Sequence, residues 1–421
     1  MCPPCSTAST GWCGVWGGPT ARRAMAICWL AEMRILTFLH SFEPGGVERV
    51  ALRLVCRWRD QGIDAPLFLG RGDGAMGAEL GRDLDPHVPR GPGFSVAGFE
   101  TLWMIMTLPG FIRRTRPDAM FCAGNSYAVV AVAMKLLLGR RCPPVLAKIS
   151  NDLERRDMVW PVRTAYRLWL RIQGRFIDHF VAMAPGLERE IAALVRPGAG
   201  AISIIPDPAL SLDQIDRLRA VRRKRAGKGR WFVAIGRLAR QKNFGLMLDA
   251  FARAAGPDDR LLIFGEGPER GRLAARSRRL GIAGRLCFMG HVPDPALRIG
   301  QADAFLLSSD YEGVPAVVLE ALAVGLPVIA TECSAAMRSL LGDGALGRLV
   351  PAGDLAAFAR VLADAPGLQH AAASLAQARR FTLEAAAPAY LDSFARIAAR
   401  PTEAFLVACR QPIPSTMTSP L

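Results

Sequence analysis

The sequence lacks any run of about twenty consecutive apolar residues, which is the length that a membrane-spanning helix needs. Its longest uncharged stretches are 1–21, which is too polar, and 119–134, which has the pattern of a strand, a turn and a helix start. An apolar segment at 24–31 follows two arginines like a weak signal peptide, but it is very short and meets Glu32. We therefore predict no spanning helix and a cytoplasmic protein.

Regularly spaced cysteines are also lacking, although the 421 residues include ten. Their scatter excludes the disulfide framework of a small secreted domain, so we expect them to be mostly reduced. Cys2, Cys5 and Cys13 lie close together, but no fourth ligand follows at the spacing that zinc sites use. The sequence therefore predicts no metal and no bound cofactor.

Acidic residues are few relative to basic ones, which gives a net charge of +16 and a pI near 10.1. Such a surplus favours a polyanionic partner: nucleic acid, an anionic membrane surface or phosphorylated substrates. No recognised nucleic-acid-binding module occurs, so charge alone supports the first option. Arginine-rich, GC-biased composition explains part of the surplus.

The chain is long enough for two domains, and half of its residues are apolar. From Met33 onward, short apolar runs alternate with longer helical stretches, which is typical of parallel sheets covered on both faces. We predict strands near 34–39, 65–69, 118–122, 144–149, 177–182, 202–205, 231–235, 261–264, 286–289, 304–308 and 327–330. The predicted organisation is a disordered tail or misassigned start at 1–32, domains at 33–212 and 231–380 joined by a linker at 213–230, a terminal helix at 381–400 and a tail at 401–421.

Two glutamates, Glu312 and Glu320, flank a predicted strand-to-helix turn with seven residues between them. Pro315 suits the first turn of a helix, so Glu312 falls in the loop and Glu320 within the helix. Because helical side chains lean toward the N-terminus, Glu320 can reach back toward the loop. Unpaired backbone N–H groups and the helix dipole favour phosphate there. By itself, such a pair is common around helix starts.

A second strand-to-helix turn carries Gly236, Arg237 and Lys242. Arginine binds phosphate oxygens bidentately and lysine supplies a compact charge, so the two cations could neutralise a diphosphate without a metal. A solvated basic loop is the alternative on this segment alone.

The Glu-x7-Glu element is followed by Ala-Leu-Ala-x-Gly-x-Pro-Val, and the basic turn reads Gly-Arg-Leu-x-x-x-Lys-Asn. Together they resemble the nucleotide-sugar site of glycosyltransferase family 4, a family of retaining enzymes of the GT-B type. The resemblance covers about residues 33–400. It implies two Rossmann-like, doubly wound α/β domains with a cleft between them, and a last helix that crosses back onto the first domain.

The resemblance also implies roles for individual residues. The catalytic group comprises Arg237, Lys242 and Glu312. The donor-binding group comprises Gly45, Gly46, Gly236, Gly265, Gly267, His291, Val292, Gly313, Val314, Pro315 and Glu320. The acceptor side comprises Asn125, Lys148, Ser150 and Asn151. Read without the family, the Gly265-x-Gly267 turn is weak support for a nucleotide site, Gly45-Gly46 is equally consistent with a tight turn, and His291 is more often structural than catalytic.

Two segments depart from the family pattern. Many relatives carry histidine where Ser150 stands, and a glycine-proline pair is common where this chain has 331–337. These departures concern the acceptor or donor preference.

The expected activity is transfer of a sugar from a nucleoside diphosphate sugar to an acceptor hydroxyl, in cell-surface polysaccharide or glycolipid synthesis. A UDP-sugar is favoured over a GDP-sugar, and the acceptor is a glycan or a lipid-linked glycan. The alternatives are a nucleotide-sugar epimerase or hydrolase of the same fold and a basic nucleic-acid-binding protein.

A basic amphipathic helix is predicted in the segment from Arg156 to Phe176. Its arginines recur every four residues and are joined by Arg156, while Trp169, Ile172 and Phe176 fall roughly opposite. It suits an anionic membrane surface, or else an ordinary surface helix packed on the first domain. The repeating arginines are Arg163, Arg167, Arg171 and Arg175.

Overall fold

A computed structural model describes residues 33–43, 45–77, 84–91, 96, 98–150, 153–155, 158–223, 225–364 and 371–398. The predicted tails at 1–32 and 401–421, together with Asn151 and Arg156, lie outside these residues. Within them, the strands form two six-stranded sheets. No helix in the described ranges has both the length and the hydropathy to cross a membrane.

The first sheet is parallel throughout and has the order β2-β1-β3-β4-β5-β6. Its strands are β1 (Ile35–Leu39), β2 (Leu67–Leu69), β3 (Ala119–Cys122), β4 (Val145–Ile149), β5 (His179–Ala182) and β6 (Ile202–Ile204). The helices of this half are α1 (Gly46–Asp60), α2 (Glu100–Thr115), α3 (Ala128–Leu138), α4 (Trp160–Phe176) and α5 (Leu187–Leu194).

The second sheet is also parallel and has the order β12-β11-β10-β7-β8-β9. Its strands are β7 (Trp231–Ile235), β8 (Arg260–Phe264), β9 (Leu286–Gly290), β10 (Ala304–Leu307), β11 (Val328–Thr331) and β12 (Gly347–Val350). The remaining helices are α6 (Leu212–Ala220), α7 (Phe244–Ala254), α8 (Arg270–Arg279), α9 (Ala316–Val324), α10 (Ala336–Leu340), α11 (Leu355–Ala363), α12 (Ala371–Arg380) and α13 (Leu383–Ala398).

The α/β prediction is confirmed, and all eleven predicted strands are present with ends shifted by at most two residues. Strand β12 was not predicted, because its four residues begin with Gly347 and Arg348 and it lies at a sheet edge. The segment predicted as a linker contains helix α6, which begins one residue before it and packs on α9.

Helix layers cover the first sheet on both faces. Helices α2, α3, α4 and α5 contact one another in series, whereas α1 contacts α13. Right-handed crossovers place the first group on one face and α1 on the other. In α13, Tyr390 and Phe394 make edge-to-face contacts with Trp58 and Phe121, at ring-centroid distances of 5.5 to 6.2 Å. The last described helix therefore packs on the first sheet, although it follows the second in sequence.

Candidate active site in the cleft between the sheets

The carboxyl ends of the strands in both sheets face a common cleft, which is where open parallel sheets bind ligands. The cleft contains a cavity of about 900 Å³, a size suited to a small-molecule ligand. Its walls come from both halves of the chain, and α6 adds a third side. Representative lining residues are Gly46, Arg49, Ser150, His291, Gly313 and Glu320.

Glu312 lies in the loop between β10 and α9 and is held by two side chains. Ser309 Oγ donates a 2.7 Å hydrogen bond to Glu312 Oε1, and Lys242 Nζ forms an ion pair with the same oxygen. The backbone N–H of Glu312 donates to the carbonyl of Cys333 at 3.0 Å. The structure therefore joins two of the predicted catalytic residues, Glu312 and Lys242, in one contact.

The loop after β7 is tied to the loop after β10 by further hydrogen bonds. Gln241 Nε2 donates to the carbonyl of Tyr311 at 2.8 Å, and Asn243 Nδ2 donates to Asp310 Oδ1 at 2.7 Å. Asn243 also caps α7 by accepting from Leu246 N–H. These contacts fix the loop that carries Arg237 and Lys242. The Arg237 side chain is exposed, and among the described residues it has no ion-pair partner.

Gly265 and Gly267 allow the loop after β8 to approach the loop after β7. Both have positive φ, at 133° and 156°, where side chains are strained. A Cβ at Gly265 would lie 2.0 Å from the Gly236 carbonyl oxygen, and one at Gly267 would lie 2.5 Å from that of Leu238. The observed role of these two glycines is therefore close packing of backbone, and neither lines the cavity.

Glu320 projects from α9 into the cavity and is half-buried. Burial, and to a lesser extent nearby Asp294, raise the pKa of its carboxyl, while Arg53 and Arg49 lower it, and the resulting pKa is about 7. The helix that carries Glu320 begins after Pro315 and ends at Gly325, whose φ of 82° is left-handed. Pro315 thus occupies the N-cap, one position before the helical turn that its sequence context predicted.

The loop after β4 brings the first half of the chain against the second. A Cβ at Gly313 would lie only 2.4 Å from the Ser150 carbonyl oxygen, so glycine permits this approach. The Ser150 side chain is directed toward Asn125, whose Oδ1 accepts from Ser150 N–H at 2.9 Å and from Ser150 Oγ at 3.3 Å. Asn125 and Ser150 are therefore one unit beside the cleft.

Lys148 is 2% exposed and its Nζ lies 2.8 Å from Asp207 Oδ1, which is itself buried. Both residues line the cavity, but each charge is neutralised by the other. Sequence reasoning placed Lys148 on the acceptor side and did not find its partner, because Asp207 follows β6, two strands away in the chain.

The Glu48 side chain packs against the loop that contains Gly45 and Gly46. A Cβ at Gly45 would lie 2.0 Å from Glu48 Oε2, while Glu48 Oε1 accepts a 2.7 Å hydrogen bond from the buried Tyr127 hydroxyl. Burial and the neighbouring Glu48 raise the pKa of Tyr127, so its hydroxyl stays protonated and donates.

The structure assembles most of the predicted residues around one cavity, though not all of them line it. The predicted residues in the lining are Gly46, Lys148, Ser150, His291, Val292, Glu312, Gly313, Val314 and Glu320. Those beside it or behind it are Gly45, Asn125, Gly236, Arg237, Lys242, Gly265, Gly267 and Pro315. Sequence reasoning missed Arg49, Arg53 and Asp294. The spacing of the two arginines, one helical turn apart just after Gly45-Gly46, was the available signal.

Comparison with known protein families gives a match to each half of the chain. Residues 44–208 match the family described as Glycosyltransferase Family 4, and residues 229–365 match Glycosyl transferases group 1. The chain belongs to glycosyltransferase family 4. This enzyme is 24% identical over 336 residues to the lipopolysaccharide core biosynthesis glycosyltransferase LpsE of Rhizobium meliloti, covering 78% of this chain and 87% of LpsE.

The chain is also similar to the lipopolysaccharide 1,6-galactosyltransferase of Salmonella typhimurium. The two are 29% identical over a region that covers 46% of this chain and 55% of the relative. Solved structures share its GT-B fold. The outer core galactosyltransferase WaaB superposes with a TM-score of 0.69 and 19% identity, covering 86% of this chain and 99% of WaaB. HepE of Anabaena, in complex with UDP-glucose, superposes with a TM-score of 0.67 and 19% identity, covering 87% and 100%.

Proposed function

We propose that this glycosyltransferase moves a sugar from a nucleoside diphosphate sugar to an acceptor hydroxyl with retention of anomeric configuration, in lipopolysaccharide or cell-surface polysaccharide synthesis. A UDP-sugar is the first candidate donor and a GDP-sugar the second. The acceptor is a glycan or a lipid-linked glycan. Relatives named for lipopolysaccharide synthesis and a fold neighbour in complex with UDP-glucose support these assignments.

The observation that carries the proposal is the cavity wall formed by the β10–α9 loop and α9. Glu320 projects into the cavity from α9, and Glu312 lines it beside Lys242. A carboxylate accepts hydrogen bonds from two ribose hydroxyls, and the backbone N–H groups at 313–317 lie at a helix N-terminus, where phosphate binds favourably. Ribose and diphosphate thus have adjacent candidate sites along one loop and helix.

The chemistry follows from what these groups can do to a leaving diphosphate. Arg237 and Lys242 absorb its growing negative charge, and the cleft holds the acceptor hydroxyl on the same face of the sugar. The departing phosphate oxygen accepts the acceptor proton, which gives retention without a covalent enzyme intermediate. Lys242 leaves its contact with Glu312 as the diphosphate arrives, and the carboxylate then faces the donor sugar.

A thermal-shift screen against UDP, GDP and ADP, with their sugars, tests the donor assignment. A nucleotide that binds only the folded state stabilises it by mass action and so raises the Tm. At a free concentration of one hundred times Kd, the stabilisation free energy is about 2.7 kcal/mol. No shift with any of the three would reject the proposal. With a binding sugar donor, NMR of the transfer product reads the anomeric configuration, and an inverted product would reject retention.

An acceptor-free version of this assay distinguishes sugar transfer from the epimerase or hydrolase alternative. The donor is incubated without acceptor, and free sugar or an epimerised donor is measured by NMR. Rapid, complete turnover under these conditions would favour the alternative over transfer.

An anionic membrane surface is part of the proposal, as the place where a lipid-linked acceptor is met. Helices α2, α3 and α4 cover one face of the first sheet, and each exposes large apolar side chains. Met106 on α2 is 67% exposed, Leu136 on α3 63% and Trp160 on α4 72%. We call this set the apolar face: Leu102, Met106, Leu136, Leu137, Val159, Trp160, Val162 and Leu168.

Cations accompany the apolar face. Arg167, Arg171 and Arg175 are exposed along α4, and Arg140 and Arg141 follow α3. Trp169 and Phe176 pack against the core instead, so the sequence interpretation of α4 as a packed surface helix holds for that side. Because strands end at the cleft, the α4 N-terminus with Trp160 lies at the cleft edge of the sheet. A bilayer contacted there would meet the cleft opening.

Vesicle sedimentation tests this part. Binding to vesicles containing phosphatidylglycerol should exceed binding to phosphatidylcholine vesicles and fall with salt. Changing Trp160 and Leu168 to serine should lower the partition coefficient by about tenfold or more, since each apolar side chain contributes roughly 1.5–3 kcal/mol when buried. Met289→Ser is the matched control, since Met289 is 44% exposed on the second sheet. Equal losses in both variants would reject the apolar face as the contact.

A further inference from the structure

Helix α1 presents one stripe of side chains to the cleft. Gly46, Arg49, Val50 and Arg53 all line the cavity, at spacings of three, four and seven residues that place them on one helical face. The stripe begins directly after the Gly45-Gly46 loop and carries two guanidinium groups. It belongs to the first half of the chain, whereas the nucleotide wall belongs to the second.

Across the cavity stands Glu320 of α9, which also lines it. Its carboxyl is acted on by Arg53 and Arg49, which favour the charged form, and by burial and Asp294, which oppose it. Lys148 also lines the cavity but pairs with Asp207 at 2.8 Å, and Arg217 on α6 pairs with Asp213 at 2.9 Å. His291 is exposed at the rim and Glu312 pairs with Lys242. Arg49 and Arg53 line the same cavity as Glu320, and their charges lower the pKa of its carboxyl.

We propose that Arg49 and Arg53 are positioning residues that keep Glu320 ionised within the cleft, so that it accepts both ribose hydroxyls of the donor. The inference rests on the proposed nucleotide site. A carboxylate accepts two hydroxyl hydrogen bonds, whereas the protonated acid presents one O–H donor and accepts less well. Burial in the cleft disfavours the charged carboxylate of Glu320, and the α1 arginines that line the same cavity oppose that effect. The second half of the chain therefore depends on the first for the charge state of its nucleotide anchor.

The sign of the expected pH dependence follows from the carboxyl pKa of about 7. Nucleotide that binds the ionised form loses affinity as the pH falls through that value. Removing a nearby cation raises the pKa, so the loss begins at a higher pH. If Arg49 and Arg53 together lower the pKa by about one unit, their removal weakens binding about fivefold at pH 7, and the difference shrinks toward pH 8.5.

The test is calorimetric titration of the full chain with UDP from pH 6 to 8.5. Arg49→Gln and Arg53→Gln, singly and combined, should shift the midpoint of the affinity profile upward, and Arg53→Lys should return it toward that of the unmodified protein. Asp294→Asn is a matched control of opposite sign and should shift the midpoint downward. Arg217→Gln removes a guanidinium from the same cavity and should leave the midpoint in place. Glu320→Gln measures the pH dependence that arises from UDP itself. The affinities of the other proteins are divided by this reference profile.

Three results would overturn the inference. Affinity losses equal at every pH would mean that the arginines contact the nucleotide directly, and an unshifted profile would mean that they do not act on Glu320. A shift that persists when Arg53→Gln is combined with Glu320→Gln would place the titrating group elsewhere. If the unmodified protein binds none of UDP, GDP and ADP, the proposed function fails together with the inference, whereas normal binding with an unshifted midpoint rejects the inference alone.

Discussion

The two halves of the molecule share a six-stranded parallel sheet but use the charges at its carboxyl edge differently. In the first half, Lys148 is buried against Asp207 and the Ser150 side chain is bonded to Asn125. In the second half, Arg237 is exposed, and Lys242 pairs with a carboxylate that itself lines the cavity. In the first half, Lys148 and Ser150 therefore hold loops in place, whereas in the second half Arg237 and Lys242 lie at the loops around the cavity.

Under the proposed function, this difference lets one cleft combine fixed loops with a diphosphate site whose ion pair can change. A buried ion pair contributes little net stability against a well-packed apolar pair, but losing one partner leaves an uncompensated charge. In the Lys242–Glu312 pair the lysine is 21% exposed, against 2% for Lys148, whereas the two carboxylates are similarly buried at 11% and 10%. Substitution of Lys148 should thus act on folding, and under the proposed function substitution of Lys242 should act mainly on turnover.

The largest effect is expected from Lys148→Met. It leaves Asp207 buried without its cation, so the free energy of unfolding should fall by about 3–5 kcal/mol, measured by urea denaturation. Lys135→Met is the control: Lys135 pairs with Asp178 at 2.6 Å, but Asp178 is 39% exposed, and the loss should stay near 1 kcal/mol or below. Equal losses in the two variants would contradict a special role for burial at Lys148.

Lys242→Ala probes the other half. Under the proposed function Lys242 stabilises the leaving diphosphate, so its removal should lower kcat by about 10²–10³-fold. The loss of stability should be smaller than for Lys148→Met, because Lys242 is 21% exposed and Ser309 still donates a hydrogen bond to Glu312. Arg240→Ala is the neighbouring control. Its side chain is 88% exposed, and its ion pair among the described residues is a 3.8 Å contact with Glu269. A large loss of stability without a kinetic effect would place Lys242 among the structural residues and remove the contrast between the halves.

The sequence locates the candidate site residues of the second half better than those of the first half, for a physical reason. Glu312, Glu320 and Lys242 sit at fixed offsets from strand ends and glycines, so local patterning locates them. Lys148 and Asp207 are 59 residues apart and meet only because β4 and β5 pair and β6 follows. The α1 arginines were missed for a similar reason: their helix belongs to one sheet and the carboxylate that they face belongs to the other. Contacts across the cleft depend on how the two halves are arranged, and no short motif encodes that.

The smallest effect is expected where the halves touch. In Gly313→Ala, the new Cβ would lie 2.4 Å from the Ser150 carbonyl oxygen and 3.0 Å from Met183 Cε, so the halves must separate slightly. A misplacement of this order should lower kcat by about tenfold, whereas the UDP Kd should change less, because Glu320 and Lys242 keep their places on the second half. Gly271→Ala is the control, since a Cβ there meets nothing within 4 Å. If Gly313→Ala weakened UDP binding as much as it lowered kcat, the nucleotide site would extend across the contact, and Ser150 would have to be counted among the residues that shape donor binding.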